Sequence, residues 1–213
     1  MNASEVQVGA QSGELIVDGQ PVRMVDWQHR PIYDTLELAA TAIAVGDNFI
    51  FTDLGTKDLR LTNLTQSGQL PSDWEMIIKA IMIQVTPNDL WANLTVDNLF
   101  ADVHNLFQAL YFELVVGQTT LVTQGRLEDY PYPFGKNVVA TVSQDAIGSA
   151  STIDYVSVNN GAIHGTPRRL DTPIHITPDM TFRGNVHVFE AITLAEPWHV
   201  RVVLDALVKR PVR

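Results

Sequence analysis

The alternation of apolar and polar positions has one dominant stretch, residues 74–87, WEMIIKAIMIQVTP, the longest apolar segment of the chain. Isoleucine stands at Ile77, Ile78, Ile81 and Ile83, and β-branched side chains favour a pleated, packed surface over a helix. With a rise of about 3.3 Å per residue, a strand of this length crosses a whole small domain. Pro71 and Pro87 are natural stops on either side. Strict alternation puts Ile77, Ile81, Ile83 and Val85 on one face and Trp74, Met76, Ile78, Ala80 and Met82 on the other. Both faces are therefore expected to be covered, with Glu75 and Lys79 at an end or a gap, either by a second layer or by a neighbouring subunit.

The remaining pattern is mostly of period two. A hairpin is predicted from residues 14–17 and 22–27 around Asp18-Gly19, a pair suited to the positive φ of a tight turn. Pro31 is expected to break the chain. Residues 35–45 read as a strand with a short helix as the alternative, followed by a turn at 46–48 and a strand at 49–51. Residues 53–73 have irregularly spaced leucines and predict an ordered loop. Residues 93–110 carry Val96, Leu99, Phe100, Val103, Leu106, Phe107 and Leu110 on one stripe, the single amphipathic helix of the chain (about 95–110). Beyond it come strand candidates at 111–116, 119–123, 138–142, 153–158, 174–177, 181–189 and 198–208. In the last two, Phe182, Val186 and Val188 alternate with Arg183, Asn185 and His187, and Val200 to Val208 with Arg201, Asp205 and Lys209. Pro131 and Pro133 keep residues 128–135 out of any central strand. Many short strands with no βαβ rhythm predict an all-β fold: a β-sandwich, a single jelly roll in first place. Residues 1–13 have no usable period and read as a flexible arm, leaving 14–213 as one domain.

Composition narrows the function. The 213 residues are 46% hydrophobic and 18% charged, with a formal net charge of −10. That charge disfavours direct nucleic acid binding, which rests on phosphate neutralisation by Lys and Arg. Arg168 with Arg169, and Lys209, Arg210 and Arg213, are local basic spots. Absence of cysteine excludes disulfides and thiolate metal sites. No basic start with an apolar run and no stretch of about 18 apolar residues is present, so neither a signal peptide nor a transmembrane segment is expected.

No catalytic signature follows. A cupin-type metal site needs closely spaced histidines with a carboxylate on adjacent strands, and His187 with Glu190, plus His175 and His199, has the wrong spacing. A phosphate loop and a Gly-x-Ser-x-Gly turn are both missing. No catalytic residue, cofactor or metal ligand is nominated. The aromatic residues beside Pro, Asn or Asp are more suggestive: Trp91, Tyr130, Tyr132, Phe134 and Trp198. Three readings stand side by side for them: plugs at the ends of a sandwich, interface anchors, or platforms for sugar rings. Val6 and Val8 are the sizeable apolar side chains of the arm and the candidates for docking it on a neighbour.

Three stretches share a likeness. Residues 49–85 contain the step Thr62-Asn63 and then Gly68-Gln69-Leu70-Pro71 ahead of the long strand; residues 168–189 and 200–213 are RRLDTPIHITPDMTFRGNVHVF and VRVVLDALVKRPVR. Together they resemble the capsid protein of tailless icosahedral bacteriophages built from upright jelly rolls. The resemblance implies a virion shell subunit, found in the virion, whose partners are other copies of itself, with or without a second capsid protein. A carbohydrate-binding or host-recognition module, such as a spike or tail-fibre head, is the alternative that the loop aromatics support.

Overall fold

A computed structural model describes residues 6–8, 14–17, 20–23, 27–55, 57–88, 96–118, 120–131, 140–141, 155–156 and 167–209. In chain order the strands are β1 (Val6–Val8), β2 (Glu14–Val17), β3 (Gln20–Arg23), β4 (Trp27–His29), β5 (Ile32–Leu38), β6 (Ala42–Ile43), β7 (Gly46–Ile50) and β8 (Glu75–Pro87). Helix α1 (Val96–Ala109) leads directly into β9 (Leu110–Val116) and β10 (Thr120–Arg126), then β11 (Ala140–Thr141), β12 (Tyr155–Val156), β13 (Arg168–Ile176), β14 (Phe182–Val188), β15 (Ile192–Thr193) and β16 (Trp198–Lys209). The fold is all-β, with antiparallel sheets and, among the described residues, one α-helix and a short 3-10 helix at Leu127–Asp129.

Two sheets form the body. One runs β13-β8-β16 and then β4 and β5 along the same edge; the other runs β10-β9-β14-β7. The register of β4 and β5 against β16 is continuous, from Lys209 opposite Trp27 to Trp198 opposite Leu38. Between the two strands Arg30 N–H still donates to the Ala206 carbonyl at 2.9 Å. Pro31 therefore interrupts one strand rather than ending it, as a residue without an N–H can do at a sheet edge. Counted that way, the first strand pairs with the last (β5 with β16), the second with the seventh (β7 with β14), the third with the sixth (β8 with β13) and the fourth with the fifth (β9 with β10). The chain is a long hairpin, folded about the turn at Gly117-Gln118 and rolled into two layers.

The inner faces meet in one core that joins Ile32, Ile78, Ile81, Ile83, Val200, Val202 and Leu204 of the first sheet to Ile50, Phe112, Leu114, Phe182, Val186 and Val188 of the second. Residues 74–87 are central as expected, but not in strict alternation. Asp205 lies opposite Ala80 and Ala206 opposite Ile78, so Lys79 has no partner on β16; nor has it one on β13, where Arg169 faces Ala80 and Ile174 faces Ile78. This bulge shifts the side-chain phase by one residue. Met76 and Ile78 before it, and Ile81, Ile83 and Val85 after it, all enter the core, while Ile77, Ala80 and Met82 are buried on the opposite face.

Polar loops guard the edges. Asn63 bridges the free side of β5: its Oδ1 accepts Tyr33 N–H at 2.9 Å, its own N–H reaches the Tyr33 carbonyl at 3.2 Å, and Nδ2 reaches the Pro31 carbonyl at 2.8 Å. Thr62 Oγ1 donates to the same Tyr33 carbonyl. Such pairing hides an edge that would otherwise template another strand. Gly68, at φ +60°, turns its N–H to the Phe51 carbonyl and its carbonyl to Phe182 N–H; a Cβ there would stand 3.1 Å from the Phe182 oxygen. In the loop expected to be pinned by leucines, Leu64 and Leu70 are buried, whereas Leu59 is exposed.

The stretch expected as a structureless arm contains β1, which pairs with β2 of its own chain, Val6 opposite Val17 and Val8 opposite Leu15. The short Val-x-Val alternation is enough for a strand once a hairpin offers its edge. The predicted hairpin is β2 with β3, and its second strand begins at Gln20, two residues earlier than expected.

Candidate interaction surface

Asp34 and Asp102 hold the framework beneath the surface. Asp34, fully buried, accepts Phe51 N–H at 2.6 Å and pairs with Lys57 Nζ at 3.0 Å. Asp102 of α1 accepts the N–H groups of Ala195 and Glu196 and the indole N–H of Trp198, all at 2.9–3.0 Å. These carboxylates satisfy buried donors. Neither was legible as such: Asp102 sits at a polar gap between Leu99 and Val103, a spacing that any solvated helix face also shows.

Among the loop aromatics, Tyr130 and Trp198 are fully buried. Tyr130 meets Phe112 edge to face at 5.4 Å and its hydroxyl lies 3.1 Å from Thr123 Oγ1; burial pushes its phenol pKa up. Its carbonyl takes Ile83 N–H at 2.8 Å, beyond the start of β13. Tyr130 is thus a core plug, not a contact residue on the surface. Trp91, Tyr132, Phe134 and the side chains of Val6 and Val8 lie outside what the structure describes.

The two sheets turn very different outer faces to their surroundings. On the first, Trp27, Ile77, Met82, Val203 and Leu207 are each under 9% exposed although they lie outside the inter-sheet core. There His175 Nε2 meets Glu75 at 3.2 Å, Lys209 Nζ meets the same carboxylate at 3.1 Å, and the Trp27 ring abuts His175. On the second, β14 points Arg183, Asn185 and His187 outward. His187 lies opposite Asp47 on β7 and Tyr111 on β9. Its Nδ1 bonds Asp47 and its Nε2 meets Glu113 at 2.8 Å. Burial alone would lower the His187 pKa, but the carboxylates of Glu113 and Asp47 outweigh it and the pKa is raised.

Phe189 stacks on this imidazole at 5.9 Å and receives Tyr111 edge-on at 5.4 Å, while the Arg183 guanidinium lies 5.5 Å over Phe49. Phe189 is 65% exposed, Phe49 and Leu121 46%. An imidazole whose two nitrogens both face carboxylates has no free lone pair for base or nucleophile chemistry. What remains is a rigid band of open rings and cations, the composition of an interface centre.

His175 and His199 lie on the first sheet and His187 on the second, each with its own carboxylate. Among the described residues no group of three His, Asp or Glu side chains is arranged to hold a metal ion, and no helix is long and apolar enough to cross a membrane. No protein-family profile, curated protein or solved structure matches the chain.

Proposed function

We propose that this chain is a structural subunit of a bacteriophage capsid, a single jelly roll that assembles with copies of itself, and with a second capsid protein, into the virion shell. The observation that carries the reading is the open aromatic band on the outer face of β10-β9-β14-β7, on a body whose other outer face keeps Trp27, Ile77, Met82, Val203 and Leu207 buried. The nested strand pairing supports it too, because it is the order of a rolled hairpin with two Greek keys, an architecture shared by viral capsid domains and lectins. The steps Thr62-Asn63 and Gly68 to Pro71, on which the resemblance rests, serve as a cover for the β5 edge and a clasp across the ends of β7 and β14. Repeated copies would bury the band and pair the remaining edges through closed symmetry.

Size-exclusion chromatography and electron microscopy of the purified protein at high concentration test the reading. Multimers or closed shells are expected; a strictly monomeric species overturns it.

A further inference from the structure

β10 and β13, the outermost strands of the two sheets among the described residues, flank a shallow, open notch of about 590 Å³ lined by Gln124, Asp129, Pro131, Pro167, Arg168 and Arg169. Its size lies within the ~300–1,000 Å³ range of small-ligand sites. Arg168 is held rather than dangling: its guanidinium lies 4.9 Å over the ring of buried Tyr130. Gly125 makes room for it, since a Cβ there would stand 3.1 Å from Arg168 Nη1 and 2.7 Å from Asp129 Oδ2. Arg169 is exposed and makes no ion pair among the described residues. Asp129 spends Oδ2 on the Arg126 N–H at 2.8 Å, and its Oδ1 has no hydrogen bond among the described residues.

Two guanidiniums beside a carboxylate and an amide make a selective combination. Guanidinium binds a carboxylate through two parallel N–H donors. A dianionic phosphate would gain the same donors but meet about twice the repulsion from Asp129 that a carboxylate meets. A monoanion that also bears hydroxyls uses every wall, with its carboxylate on the arginines and its hydroxyls donating to Asp129 and Gln124. The two prolines add rigid apolar flanks for the C–H face of a ring. We propose that this notch binds an acidic sugar, carboxylated and uncharged elsewhere, of sialic or uronic type. The inference goes beyond the shell reading and stands without it; in a multimer, one notch per copy would give multivalent attachment.

Titration of the full chain with 3′-sialyllactose, an unsulfated hyaluronan tetrasaccharide, lactose and inorganic phosphate, followed by calorimetry or chemical-shift change, tests it. Saturable binding is expected to at least one of the two acidic sugars, which also tells sialic from uronic, with none to lactose. Arg169→Ala should weaken that binding about tenfold or more, the worth of a charged hydrogen bond, with the melting temperature unchanged. Asp129→Asn should weaken sugar binding while improving that of phosphate. Failure of both acidic sugars to bind, equal affinity for phosphate in the native chain, or undiminished binding by Arg169→Ala overturns the proposal.

Discussion

The outer faces of the two sheets are built from the same alternation and differ in what becomes of their large apolar side chains. On β8 and β16 the outward residues include Ile77, Met82, Val203 and Leu207, all withdrawn from water within a single copy of the chain. On β14, β9 and β7 they are Arg183, Asn185, His187, Tyr111, Glu113, Asp47 and Phe49, tied by ion pairs and ring contacts and left open at Phe49 and Phe189. The difference separates what folds the subunit from what is free to hold a neighbour. An apolar outward residue on the first sheet belongs to stability, whereas one on the second belongs to association.

The sharpest way to break that contrast is a charge on each buried layer of β8. Ile77→Asp, on the covered outer face, should be as damaging as Ile81→Asp in the inter-sheet core, because an unpaired buried carboxylate costs several kcal/mol, comparable to a domain's whole margin. Neither variant should accumulate as soluble protein; native-like melting of the Ile77 variant alone would show its face to be open. Next in size is Asp34→Ala, which strands the Lys57 ammonium and the Phe51 N–H. A loss of about 3 kcal/mol is expected in urea unfolding, and a loss below 1 kcal/mol would mean that water replaces the carboxylate.

Substituting serine for both Phe49 and Phe189 touches only the open face. Unfolding free energy should fall by only about 1–2 kcal/mol, the worth of the ring contacts removed, while assembly, read by sedimentation, is lost. Undisturbed multimers would move the contact surface elsewhere. The smallest effect is that of His187. Its folded pKa is raised, so its contribution is fully present below the unfolded value near 6.5 and fades as pH rises through the folded pKa. Melting temperature compared between acid and alkaline buffer should fall slightly more for the native chain than for His187→Gln; identical pH profiles would exclude the imidazolium as a stabilising charge.

Sequence and structure agree most closely where one physical rule acts alone. In β14 and β16 the two-residue period runs uninterrupted, and Phe182, Val186 and Val188, like Val200 to Val208, go inward as the pattern predicts. In β8 the Lys79 bulge reverses the phase halfway along; Glu75 points outward at an odd position before it and Gln84 and Thr86 at even positions after it, a polar trace of the reversal that strict alternation overlooks. The surface band was hidden for another reason: His187, Asp47 and Glu113 come from three segments, and only the register of β7 and β9 against β14 brings them together. Tyr130 read as a loop aromatic because of its proline neighbours, yet it caps the short 3-10 turn Leu127–Asp129 and its ring lies in the core. The edge role of Asn63 was missed because a side chain that mimics a backbone partner leaves no periodic trace.

The nested pairing also dictates when the molecule can form. β16 lies between β5 and β8, so the middle of the first sheet is supplied by residues 198–209, long after both of its neighbours have been synthesised. Until then β5 and β8 each expose an unpaired apolar flank, and no local hairpin can bridge the gap. Contacts of such sequence separation make folding slow and its early species prone to stick to one another. The β9–β10 pairing needs only local contacts, whereas β5 and β8 lack the strand between them until β16 is present, and a ribosome stalled before residue 198 would hold a nascent chain that cannot bury its own centre.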